Sequence, residues 1–166
     1  MKKKTLWLTR TALMLALLMA LQWVTKPLGQ VVTGSCVNAV LAITCLTVGL
    51  PSGLVIALIS PVLALWLGIA PNPLVVPAIM TGNALFVSLL AWICGKNIVR
   101  NVLGLVVAAF AKFSVMYALV SWFLLETPKP TLLATFSWPQ LVTALIGGTV
   151  ALLIVPVLKK ALQKSR

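Results

Sequence analysis

Histidine is absent, Glu126 is the only acidic residue, and cysteine appears three times in 166 residues. These absences exclude most chemistry. General acid–base catalysis and nucleophilic triads rest on histidine or paired carboxylates, and metal centres need clusters of His, Cys and carboxylate. Cys36 and Cys45 stand nine positions apart, ~13 Å of rise on one helix, and Cys94 stands alone. Neither a disulfide framework nor a metal site is expected. There is also no Gly-rich loop followed by Lys-Ser/Thr to cradle phosphates. The chain is therefore expected not to be an enzyme, to carry no cofactor, and to leave any ATP hydrolysis to another protein.

Charge of either sign is scarce as well. Charged residues make up 8% of the chain and hydrophobic ones 61%, against roughly 25% charged in soluble domains, so most of the surface must be solvated by lipid. At ~20 residues per spanning helix, the length accommodates about six spans and no separate soluble domain. The expected fold is one all-α, six-transmembrane-helix bundle. The net charge of +12 sits at chain ends and helix boundaries without an interleaved aromatic platform. It points to membrane topology and anionic lipid rather than nucleic acid.

Apolar runs and their breakers predict helices over about 5–24, 34–48, 53–67, 76–94, 102–125 and 138–158. Lys26-Pro27-Leu28-Gly29 ends the first, Leu50-Pro51-Ser52-Gly53 turns into the third, and Pro61 is expected to kink it. The segment Gly95 to Asn101 reads as a basic loop. A short apolar stretch around Leu132 to Phe136 reads as a lid or re-entrant piece. The opening Met1-Lys2-Lys3-Lys4 resembles a signal peptide, but the apolar run continues past Ala20 to Trp23-Val24, so cleavage is not expected.

Two signals bear on this layout. With both termini inside, Lys2, Lys3, Lys4, Arg10, Lys96, Arg100, Lys159, Lys160, Lys164 and Arg166 fall on the inner side and only Lys26 and Lys129 on the outer, which is the expected inside bias. Trp7, Trp23, Trp66, Trp92, Trp122 and Trp138 each fall near a helix end, where an indole prefers the interface.

Lys112, near the middle of the fifth helix, is the sharpest anomaly, because a charge there costs about 2.5–3.5 kcal/mol on insertion scales. Either its stem snorkels to the inner surface, or it faces a cavity and its countercharge arrives with a substrate, favouring an anion or an electron-rich ring. Ser114, Tyr117 and Ser121 form a second stripe roughly opposite on the same helix. They either line a ligand or hydrogen-bond between helices. Asn38, Asn83 and Gln140 lie at similar depth in the outer halves of their helices and suggest a polar pocket. Its closures would be Thr25 to Thr33 and Glu126 to Phe136. Structural amide bridges are the competing reading, and an unpaired amide would be costly. Trp122 and Trp138 are expected to anchor at the interface rather than stack on a ligand, and Glu126 to pair with Lys129 in water.

In the first helix Ala12, Ala16 and Ala20 make a stripe on which another helix can approach closely. It belongs to the run Arg10-Thr11-Ala12-Leu13-Met14-Leu15-Ala16-Leu17-Leu18-Met19-Ala20, and it reads either as internal packing or as a docking strip. With the length, basicity, span count and orientation, this stripe resembles the substrate-binding S components of energy-coupling factor (ECF) micronutrient transporters. The resemblance implies a subunit of a bacterial cytoplasmic membrane, multi-pass, that captures a small vitamin-like, ring-containing or anionic micronutrient at the outer face. It also implies a transmembrane coupling subunit docked on Ala12, Ala16 and Ala20, and two ATPase subunits. Asn83, Lys112, Tyr117, Asn38, Ser121 and Gln140 are the candidate substrate contacts. The rival readings are a stand-alone facilitator or channel, which needs a continuous polar path, and a structural membrane subunit without a small ligand.

Overall fold

The computed structural model describes residues 2–70, 72–123 and 130–164. These residues form helices and connections and contain no strand. The helices are α1 (Lys2–Thr25), α2 (Gln30–Thr47), α3 (Leu50–Trp66), α4 (Val76–Ile93), α5 (Ile98–Ala118), a short α6 (Pro130–Thr135) and α7 (Trp138–Lys164). Short 3-10 turns occupy Lys26–Leu28 and Pro73–Val75, and α5 runs on into a single π-helical turn, Leu119–Phe123.

Five helices, α1, α2, α4, α5 and α7, are long and apolar enough to cross a membrane, and α3 is a shorter apolar helix of 17 residues. The protein is thus an all-helical, multi-pass membrane protein. Its outer surface agrees with that, since Leu8, Leu13, Leu153 and Val157 are all more than 60% exposed, as side chains solvated by acyl tails can be. Trp23, Trp66, Trp92 and Trp138 are exposed near helix ends, whereas Glu126, Lys129 and the Trp122 side chain lie outside the described residues.

Several boundaries differ from the sequence expectation for local reasons. The turn between α2 and α3 is Val48-Gly49, where Gly49 takes φ 122°, a conformation that favours glycine. Leu50 and Pro51 already belong to the helix, with proline in the first turn, where its missing N–H removes no helical bond. Helix α5 starts at Ile98 rather than Val102, because the Asn97 side chain accepts from Val99 N at 2.9 Å and caps it. Asn101, expected in a loop, sits in that first turn and accepts from Gly95 N at 2.7 Å, closing the α4–α5 connection.

Helix α2 is the centre of the bundle, touching α1, α3, α4 and most extensively α7. Glycines allow that last contact. A Cβ on Gly147 would strike Ser35 O and come within 2.7 Å of Ala39 N, and one on Gly34 would lie 3.0 Å from Thr143. The other seams close through side chains. Thr11 and Ser52 share a buried 2.7 Å hydrogen bond between α1 and α3, and Cys45 Sγ donates to Val87 O between α2 and α4.

Two apolar clusters fill the interior. The larger contains Leu18, Leu41, Ile56, Phe86, Leu90, Leu105 and Ala109, and the smaller contains Val75, Ala78, Met116, Val120 and Phe136. Asn38, Asn83 and Lys112 each lie at the border, between residues of the large cluster and the end of the bundle where α1, α3 and α5 finish. A Gly147→Val substitution is expected to destabilise the fold by about 3 kcal/mol, the upper end of ordinary overpacking costs, since backbone rather than side chain must yield. Gly95→Ala, with nothing within 4 Å of the new Cβ, should leave thermal unfolding in detergent unchanged.

Candidate functional site: a buried lysine in a polar cavity

Lys112 is 2% exposed. Its Nζ donates to Asn38 Oδ1 on α2 at 2.6 Å and to Asn83 Oδ1 on α4 at 2.7 Å, and lies 5.5 Å from the centroid of the Phe86 ring. This geometry excludes the snorkelling reading: the stem runs across the bundle, not along α5 to a surface. Gly82 on α4 makes room for the neighbouring Met116, whose Sδ would lie 2.6 Å from a Cβ there, and the Lys112 Cγ would lie at 3.4 Å, in ordinary contact. The arrangement suits an ammonium, with two amide oxygens and a π face turned towards its charge.

From Asn38 the hydrogen bonds continue. Its Nδ2 donates to Gly34 O at 2.9 Å and to Thr143 Oγ1 at 3.3 Å. Thr143 Oγ1 in turn donates to Gln140 O, and Gln140 Nε2 donates to Thr135 O. Four helices, α5, α2, α7 and α6, are thereby joined by one polar chain that starts at Lys112.

Lys112, Asn38 and Asn83 line a cavity of about 120 Å3 at that end of the bundle. Thr33, Ser60, Met116, Phe136 and Gln140 belong to its wall. Of the residues expected from sequence to contact a substrate, the structure therefore brings Asn38, Asn83, Lys112 and Gln140 together. It does not bring Tyr117 or Ser121 to the wall. Tyr117 is 42% exposed and stacks on Phe113 on the outward side of α5, and Ser114 is exposed beside it. The helix turns only one of its two polar stripes inward, and the charge takes that position. Ser121 lies in the π turn, half-buried, with Oγ unpartnered among the described residues.

Two wall residues escaped the sequence reading. Gln22, in the last turns of α1, is one, and its buried Oε1 has no hydrogen-bond partner among the described residues. Gln30 opens α2 on the same wall. The available signal was that Gln22 is the only amide side chain in the first apolar run, a position costly to leave unpaired. Near the mouth, Lys26 Nζ donates to Gly68 O at 2.8 Å and ties the α1–α2 turn to the end of α3. Ala12, Ala16 and Ala20 are exposed on α1, roughly opposite its buried positions Thr11, Leu18 and Thr25. Among the described residues nothing covers that strip.

The model of the family described as ECF transporter, substrate-specific component, matches residues 8–159. The chain belongs to that family. Neither a curated protein nor a solved structure matches it. As an ECF substrate-specific component it is a membrane-embedded substrate-binding subunit of a transporter rather than an enzyme.

The Lys112 node makes a specific energetic prediction. Asn83→Leu removes one of two acceptors from a buried ammonium and should destabilise the protein by about 1.5–3 kcal/mol, the range for hydrogen bonds to charged groups. With Lys112→Met already present, the same substitution should cost well under half of that. A double-mutant cycle on thermal unfolding in detergent checks it.

Proposed function

We propose that the chain crosses a bacterial cytoplasmic membrane six times with both termini inside. In this reading the cavity around Lys112 captures a small vitamin-like micronutrient, ring-containing or anionic, from the outer face. The observation that carries this reading is a buried lysine held by Asn38 and Asn83 in the wall of a cavity, in a chain of this family. A lysine kept in the interior of a membrane bundle is costly and points to function.

The supports are physical. Helix α3, at 17 residues, has ~25 Å of rise, near the lower limit for a span. With it the helices alternate six times. The cavity then lies at the end that carries Lys26, away from Lys3, Lys4, Arg10, Lys96, Arg100, Lys159 and Lys160, as the inside bias requires. Leu41, Ile56, Phe86 and Leu90, all at most 1% exposed, form an apolar floor beneath the polar layer, which argues against a continuous channel. Delivery therefore depends on partners: a transmembrane coupling subunit and two ATPase subunits, with membrane lipid around them. The open strip of Ala12, Ala16 and Ala20 is the docking face for the coupling subunit, since small side chains let a foreign helix approach closely. Asn38, Asn83, Lys112 and Gln140 contact the substrate.

Ala16→Trp separates the two roles. The variant is expected to lose co-purification with the coupling subunit and ATPases, and with it uptake, while ligand affinity of the isolated chain stays within twofold of the parent. Assembly that survives the tryptophan removes the docking role, and parallel loss of ligand binding shows that the helix has been disturbed instead.

A further inference from the structure

We infer that the ligand of this cavity is a small monoanion, no larger than about one ring, whose acid group meets Lys112 and which offers an N–H or O–H donor to Gln22. This rests on the substrate-binding reading above and narrows its chemistry.

The charge argument comes from the wall. Lys112 is its one charged side chain among the described residues. The groups that face its Nζ are two neutral amide oxygens and the Phe86 ring. They solvate the ammonium but do not neutralise it. In a low-dielectric interior a lone charge is costly, and the ligand that relieves most of that cost carries one opposite charge. A cation would add repulsion. A dianion would bring a second charge for which the described wall has no partner.

The size argument comes from the volume. About 120 Å3 is below the ~150 Å3 of an apolar cavity that takes benzene. A single ring or an acyclic acid of similar bulk fits within it after small side-chain adjustments, whereas a fused polycycle would have to protrude through the mouth.

The donor argument comes from Gln22. Gln22 lines the cavity, and its buried Oε1 accepts no hydrogen bond among the described residues. Buried amide oxygens are nearly always satisfied. A hydroxyl or ring N–H on the ligand would satisfy this one at a point on α1, remote in sequence from Lys112, so that the ligand is held at two ends rather than by its charge alone.

The test loads the full chain in detergent from yeast extract, washes it, denatures it, and identifies the released compound by mass spectrometry. A compound of one ring or less, singly negative at pH 7 and bearing an N–H or O–H, is expected. A neutral, cationic or polycyclic compound overturns this assignment and leaves the binding-subunit reading standing. No released compound removes both. With the compound in hand, its affinity should exceed that of its uncharged amide at least tenfold in the parent protein, a comparison that needs no variant to fold. Lys112→Met should erase most of that preference. Gln22→Leu should weaken binding about tenfold without lowering the unfolding temperature of the empty protein, because the glutamine oxygen bonds to nothing that the substitution would orphan. Equal affinity for acid and amide, or unchanged binding in Gln22→Leu, defeats the corresponding contact.

Discussion

An ammonium group inside a membrane bundle has to be solvated by the protein, and the contacts of Lys112 determine much of the surrounding structure. Its two amide acceptors come from α2 and α4, and Met116, one turn further along α5, fits against α4 only because Gly82 lacks a Cβ. Because Asn38 also holds Thr143, and Thr143 bonds to the Gln140 carbonyl, the same charge organises the start of α7. Apolar packing alone would let these helices settle in several rotations. A directional set of hydrogen bonds at one depth selects one of them, the way a single buried polar residue can fix register in other helical assemblies.

The layering follows from this constraint. Residues on one side of the polar layer, such as Leu41, Phe86, Leu90 and Ala109, pack into a continuous apolar mass. On the other side Met116, Val120, Ala78 and Phe136 form a thinner cap. The cavity occupies the space between them, where the helices carry polar groups and cannot be filled by aliphatic side chains without burying those groups unpaired. The site is thus less a hole in the fold than the place where two kinds of interior meet.

Much of this was legible in the chain before any coordinates. The scarcity of charge and the apolar runs imply a helical membrane protein, and Lys112, Asn38, Asn83 and Gln140 stand out because polar side chains are expensive there. What the one-dimensional pattern could not decide was direction. Helix α5 carries Lys112 on one side and Ser114 and Tyr117 on the other, and only the packing against α4 and α7 settles which side turns inward. The lysine does so, and Tyr117 is left outward against Phe113. Gln22 is hard to read for a related reason: α1 packs against α2 and α3, so what shares a wall with it lies far away in sequence. The early start of α5 depended on a cap, Asn97, whose effect is hard to see beside the basic residues that suggested a loop.

The glycine seam between α2 and α7 has a mechanical consequence. Where Gly147 meets Ser35 and Ala39 backbone to backbone, there is no layer of side chains to change rotamer, and two surfaces in such contact resist sliding because packed interiors have little slack. Helices α2 and α7 therefore behave as one stiff wall carrying Asn38, Thr143 and Gln140. The α1 and α3 side of the bundle is held differently. There α1 and α3 are joined by a hydroxyl pair at one end, Thr11 with Ser52, and by the Lys26 to Gly68 bond at the other. Stiffness in this bundle is therefore unevenly distributed, greatest where backbone meets backbone and least where side chains alone make the joint.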